Sequence, residues 1–204
     1  TNDIFAYQDL ADAGVLIGPR AFNTGPGIFS NNDFQSKDEA LGVMKRYRDH
    51  YGTRNLKSYL AGNRKQRNFI VQAAYELGMM PTTEGALDLK LDLTHAIDGF
   101  HGNEHALPIV PLYKGVVELI AQPGTTDTPT SLVVYAGLRG ENSYYTTEEV
   151  HDDPKVQRFI TDNIIQARTR RRSCCRNCEH AFSKLAAQAD KILPSGYIVS
   201  LWAR

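Results

Sequence analysis

TRNLKSYLAGNRKQRNFIVQAAYELGMMPTTEG, residues 53–85, decides the fold class of this chain. Thr53 to Tyr59 has the composition of a strand, and Asn63 stands where a helix cap would. From there Phe69, Ile70, Ala73, Ala74 and Leu77 recur at helical spacing, so they share one face, and Gly78 is a natural stop. Met79 to Thr83 then reads as a second strand. A strand, a helix and a strand in about 30 residues make a βαβ unit, whose strands run parallel.

The same cadence extends to both sides. Upstream, Ile4, Tyr7, Leu10 and Ala11 predict a helix over 3–13, and Gly14 ends it. Val15 to Gly18 reads as a short strand, followed by the irregular, glycine-rich AFNTGPGIFSNND (21–33). Ser36 with Glu39 three residues on has the form of a capping box, opening a helix with Leu41, Met44 and Tyr47 as its apolar stripe. Downstream, Phe100 to Leu107 supplies a strand and Tyr113 to Ala121 a helix. TPTSLVVY (128–135) is the strongest β-forming run. The polar GLRGENSYYTTEEVHDD (137–153) reads as loop, His180 to Leu193 as a helix, and Tyr197 to Trp202 as a last weak strand. That makes six strands at most, against the eight of a complete (βα)8 barrel. The chain is expected to be a single α/β domain over 1–204.

Three residues end β-favouring runs about one βα unit apart: Lys57 in LKSY, Glu84 in TTEG and His105 in NEHALP. A parallel sheet would bring all three to one edge, where α/β enzymes assemble their sites. Glu104, next to His105, points to the opposite side if the segment is extended, and is expected to make a structural ion pair.

The remaining chemistry is weaker. Lys+Arg and Asp+Glu number 23 each, so no net field favours nucleic acid. No run approaches the roughly 18 apolar residues of a membrane helix, no signal peptide is read, and the chain is expected to be soluble. It begins at Thr1 rather than Met, so its first residues carry no reading of compartment. Cys174, Cys175 and Cys178 are an odd, clustered set. With His180 they approach zinc spacing, but no second ligand pair follows, so they read as ordinary thiols. His95 and His101 read as loop or supporting residues. Arg168, Arg170, Arg171 and Arg172 read as a solvated helix face without the interleaved aromatics of a nucleic-acid site.

GPRAFNTG, LKSY, ELGMMPTTEG, DGFHGNEHALP with PLY, TPTSLVVYAG and GENSYY together resemble the amidohydrolase superfamily. More narrowly they resemble its imidazolonepropionase- and prolidase-like branch, including members fused to a Tricorn-type β-propeller. The resemblance runs to about Arg172. It implies a metal-dependent hydrolase of carbon–nitrogen bonds on a (βα)8 barrel, acting on a small molecule or peptide through metal-activated water. Lys57 matches the position of a lysine carboxylated to bridge two ions, and a plain ammonium is the alternative. Glu84 stands where the family has a histidine ligand, and His105 matches another. The divalent ion implied is zinc, with manganese also compatible with the carboxylate. Tyr135, Glu141 and Tyr145 follow a strand and would line a substrate pocket, or pack.

Two family features lack a counterpart. No His-x-His pair precedes these motifs, and SGYIVSLWAR (195–204) offers neither the final-strand aspartate nor its substitute. The sequence thus predicts a partial barrel of about six βα units lacking the N-terminal strands. Its rival function is that of a non-catalytic remnant, whose unpaired strand edges would favour oligomerisation.

Overall fold

The computed structural model describes residues 3–29, 33–121, 124–130, 148–168, 182–192 and 198–199. Among the described residues five parallel strands form one sheet in chain order: β1 (Asn55–Ser58), β2 (Met80–Glu84), β3 (Gly102–Glu104), β4 (Thr126–Thr128) and β5 (Ile198–Val199). The order never reverses, unlike a doubly wound sheet with its switch point. Each strand from β1 to β4 is linked to the next by a helix: α3 (Arg64–Glu76), α4 (Leu89–Asp98) and α5 (Lys114–Ala121). Before β1 come α1 (Asp3–Asp12) and α2 (Lys37–His50). After β4 come α6 (Pro154–Phe159), α7 (Asp162–Arg168) and α8 (Phe182–Ile192).

Local sequence explains the helix ends. Ser36 accepts the Glu39 N–H at 3.1 Å, while the Glu39 carboxylate reaches one residue further out than a capping box would, to the Gln35 N–H. Asn63 and Gln66 close a full capping box on α3. Two acids in the first turn of α2 and two bases in the last suit the helix dipole. Leu41, Met44 and Tyr47 of α2 and Ile70, Ala73 and Ala74 of α3 bury against Leu56 of β1, as the periodicity predicts. A second apolar cluster joins Ala96 of α4, Leu107, Leu112 and Ile120 of α5.

Several expectations change. Val15 to Gly18 is a turn rather than a strand, with Val15 73% exposed. Among the described residues no strand pairs with it, and the Val15 and Leu16 N–H groups donate to the Leu10 carbonyl. The edge position beside β1 is taken instead by Ile28, which bridges to Ser58: its N–H donates to Lys57, and its carbonyl accepts from Tyr59. Helix α4 was not foreseen, although Asp88 caps it and Gly99 ends it in a left-handed conformation. Strand β4 starts before the expected 128–135 run and shares Thr128 with it. Pro129 has no N–H for a ladder, which is a physical reason for the strand to precede it. Residues 131–135 lie outside the described residues.

Alternation divides the sheet. The ladder register aligns Ser58, Thr83, Asn103 and Asp127 as one row. All four are buried, on the side that carries Leu56 against the helices. The opposite face carries Lys57, Thr82, Glu84, Gly102, Glu104 and Thr128. Its carboxyl-end edge gathers the charges.

Candidate functional site

Lys57 lies near the end of β1, Glu84 ends β2 and Glu104 ends β3, so three neighbouring strands deliver three charged side chains to one edge. Lys57 Nζ donates to Glu84 Oε2 at 2.6 Å and also to Glu104 Oε2. The other Glu84 oxygen meets His105 Nε2, and His105 Nδ1 meets Thr130 Oγ1. The three residues expected to meet therefore come together, with Lys57 and His105 each contacting Glu84 and with Glu104 and Thr130 as further partners.

Glu104 is the difference. Strict alternation would separate it from His105, yet both contact the same cluster. His105 has φ +73, a left-handed conformation rare for a residue with a Cβ. That backbone reverses its side chain towards Glu84 while Glu104 keeps its place on the Lys57 face. Glu104 does make an ion pair, as expected, but within the site.

Burial acts to raise the pKa of Glu84. The Lys57 hydrogen bond and charge, with help from His105, outweigh it and hold the carboxyl below its ordinary range. Asp92, on α4, is pushed up by burial, against the hydrogen bond it accepts from the Ala86 N–H at 2.8 Å. Burial, then the charge of Asp92, pushes Asp127 up to about 8, so it is mostly protonated at neutral pH. Burial, then the charge of Arg67, lowers His95 to about 4.

His95 is thus a buried neutral imidazole on α4, T-shaped against Phe100, and His101, just before β3, meets the Tyr75 ring of α3 at a tilt. Neither is among the Lys57 contacts. Tyr135, Glu141, Tyr145, Cys174, Cys175, Cys178 and Arg170 to Arg172 lie outside the described residues, whereas Arg168 ends α7.

Tyr59 and Phe29 escaped sequence reading. Lys57 Nζ stands 4.9 Å from the centre of the Tyr59 ring, and Phe29 stacks on Tyr59 at 5.2 Å. The spacing of Lys57 and Tyr59 by two was a usable signal, since residues i and i+2 of a strand share a face. Nothing local in the sequence announced that Ile28 would bring Phe29 there.

Two carboxylates and an imidazole are suitable donors for zinc or manganese. As arranged, however, they do not form a ligand shell. The Lys57 ammonium lies between the two carboxylates, and among the described residues no group of three or more His, Cys, Asp or Glu is placed to hold an ion.

No family model matches the chain, and no curated protein matches it. Solved structures do. One is an uncharacterized protein, 12% identical, with TM-score 0.54 over 97% of this chain and 51% of that one. Another is a bottromycin amidohydrolase, 14% identical, with TM-score 0.56 over 96% and 49%. The likeness is one of fold. The chain shares the α/β fold of these solved chains and spans about half their length. No helix among the described residues is long and apolar enough to cross a membrane.

Proposed function

We propose that this chain carries the polar centre of an amide-bond hydrolase, built on part of a (βα)8 barrel of the imidazolonepropionase- and prolidase-like branch. The observation that carries the reading is the convergence of Lys57, Glu84, Glu104 and His105 at the carboxyl ends of three adjacent parallel strands. That edge is where barrel enzymes place their chemistry. The strand order, the sequence motifs and the fold likeness support it.

Amide hydrolysis needs a group that takes a proton from the attacking water and returns one to the leaving nitrogen. Glu84 and His105 share a hydrogen bond, so a proton accepted by one passes to the other. Lys57 keeps Glu84 ionised and able to accept. Thr130 fixes the second nitrogen of the imidazole. A divalent ion on Lys57, Glu84 and His105, as the resemblance implies, would require Lys57 to give up its ammonium charge.

The rival is a non-catalytic barrel segment. It is favoured by the same contacts, because the Lys57 ammonium is taken up by two carboxylates rather than offered to a substrate. One experiment separates the two: turnover of a panel of dipeptides and cyclic amides, with zinc, manganese or a chelator. Hydrolysis that falls about 100-fold or more in Glu84→Gln supports the enzyme. No turnover under any condition supports the rival. Metal content unchanged in Lys57→Ala, Glu84→Ala and His105→Ala would remove the ligand assignment.

A further inference from the structure

The Phe29 and Tyr59 rings stack with an interplanar angle of 22°. Exposed aromatics ordinarily turn apolar faces inward, yet Phe29 is 51% exposed and Tyr59 39%. Ladder bonds on both sides of Ile28 hold the pair in place, fixing Phe29 beside the residue that follows β1. The stack therefore belongs to the same strand edge as the charged cluster, and Lys57 joins the two by its cation–π contact with Tyr59.

The cluster beside it has two carboxylates against one ammonium. Glu104 is the more open carboxylate, its side chain 28% exposed against 14% for Glu84. A ligand that suits both halves has a flat apolar ring and a positively charged amine a few bonds away. A carboxylate in place of that amine would face Glu104 with like charge.

We propose that Phe29 and Tyr59 form a binding plate for the aromatic side chain of a peptide or amide whose free amino group is received by Glu104. This rests on the reading of the cluster as a substrate site and names its substrate class: amides of aromatic α-amino acids with an unblocked amine. The ring lies on the plate, the ammonium donates to Glu104, and the amide carbonyl is left towards Glu84 and His105.

The test is binding to the 204-residue chain, followed by calorimetry or ligand-observed NMR, with phenylalaninamide as probe. Alaninamide lacks the ring, and N-acetylphenylalaninamide lacks the charge. Phenylalaninamide should bind best. Phe29→Leu, which keeps an apolar side chain for folding, should raise its Kd about 2- to 12-fold, the range expected for one aromatic pair. It should leave alaninamide unchanged, and Glu104→Gln should erase the preference for the free amine. Equal binding of the three amides, or a Phe29→Leu variant that binds phenylalaninamide like the wild type, overturns the proposal. Ring- and amine-selective binding without turnover would sink only the hydrolase reading. Turnover indifferent to the ring would sink only the plate.

Discussion

Replacing Lys57 by Met keeps most of the stem over Tyr59 and removes the one cation between Glu84 and Glu104. The two carboxylates then face each other with their compensation reduced. Breaking a fully buried pair costs about 3–5 kcal/mol, and an exposed pair is worth about 0–1 kcal/mol. With side chains 14% and 28% exposed, the cluster lies between these limits. The expected loss at neutral pH is about 2–3 kcal/mol, or roughly 4–12 °C in Tm for a chain of this size. The pH dependence is the sharper signature. Glu84 has a folded pKa below its ordinary value, so its stabilising contribution is present above the unfolded value of about 4.3 and is lost as pH falls through the folded one. Without Lys57 the burial of Glu84 dominates and its pKa rises. The gap between wild type and Lys57→Met should therefore be widest at pH 7–8 and close towards pH 4. Urea unfolding at pH 8, 6 and 4, with the slope unchanged, measures it. A gap constant with pH, or wider in acid, would refute the assignment of Lys57 as the internal counter-ion.

Asp127 should behave in the opposite sense. Its folded pKa is raised to about 8, so its contribution is fully present below the unfolded value near 4 and is lost as pH rises to about 8. Asp127→Asn should then gain stability over the wild type as pH climbs from 4 to 8, and thermal melts showing the reverse trend would count against a buried, neutral carboxyl. Gly99 ends α4 with φ +98, and an added Cβ would lie 3.3 Å from the Tyr75 and Val71 side chains. Gly99→Ala is expected to cost about 1–2 kcal/mol from the left-handed backbone alone, and an unchanged urea midpoint would contradict that.

Periodicity made α2 and α3 legible because each buries one uninterrupted stripe, and Ser36 and Asn63 carry side chains that can accept the first-turn N–H groups. Strands β1 and β2 were legible because the helix between them fixes their spacing. The edge beside β1 was not. Val15 to Ile17 has better strand composition than Gly27 to Phe29, and only pairing with Ser58 selects the latter. Strand propensity is largely a property of what a segment packs against, which one sequence does not contain. Helix α4 is the converse case: Asp88 and Gly99 cap it, but the short run between them mixes polar and apolar residues and was not read as a helix.

The candidate site divides along the same physical line. Lys57, Glu84 and His105 could be placed at one edge because parallel strands of similar length end together, and that inference needs no side-chain detail. Whether Glu104 or His105 would face Lys57 looked like a choice, since period-two alternation permits only one. His105 escapes the choice through a left-handed backbone just after β3 ends, where the ladder no longer dictates φ. The ladder bond from the His105 N–H to the Thr128 carbonyl and the side-chain contact to Thr130 then hold it between β2 and the end of β4. A strained, non-glycine conformation survives only where surrounding contacts over-determine it. Here those contacts are the ones that also complete the cluster, so the backbone departure and the chemistry at Glu84 are one feature of the fold.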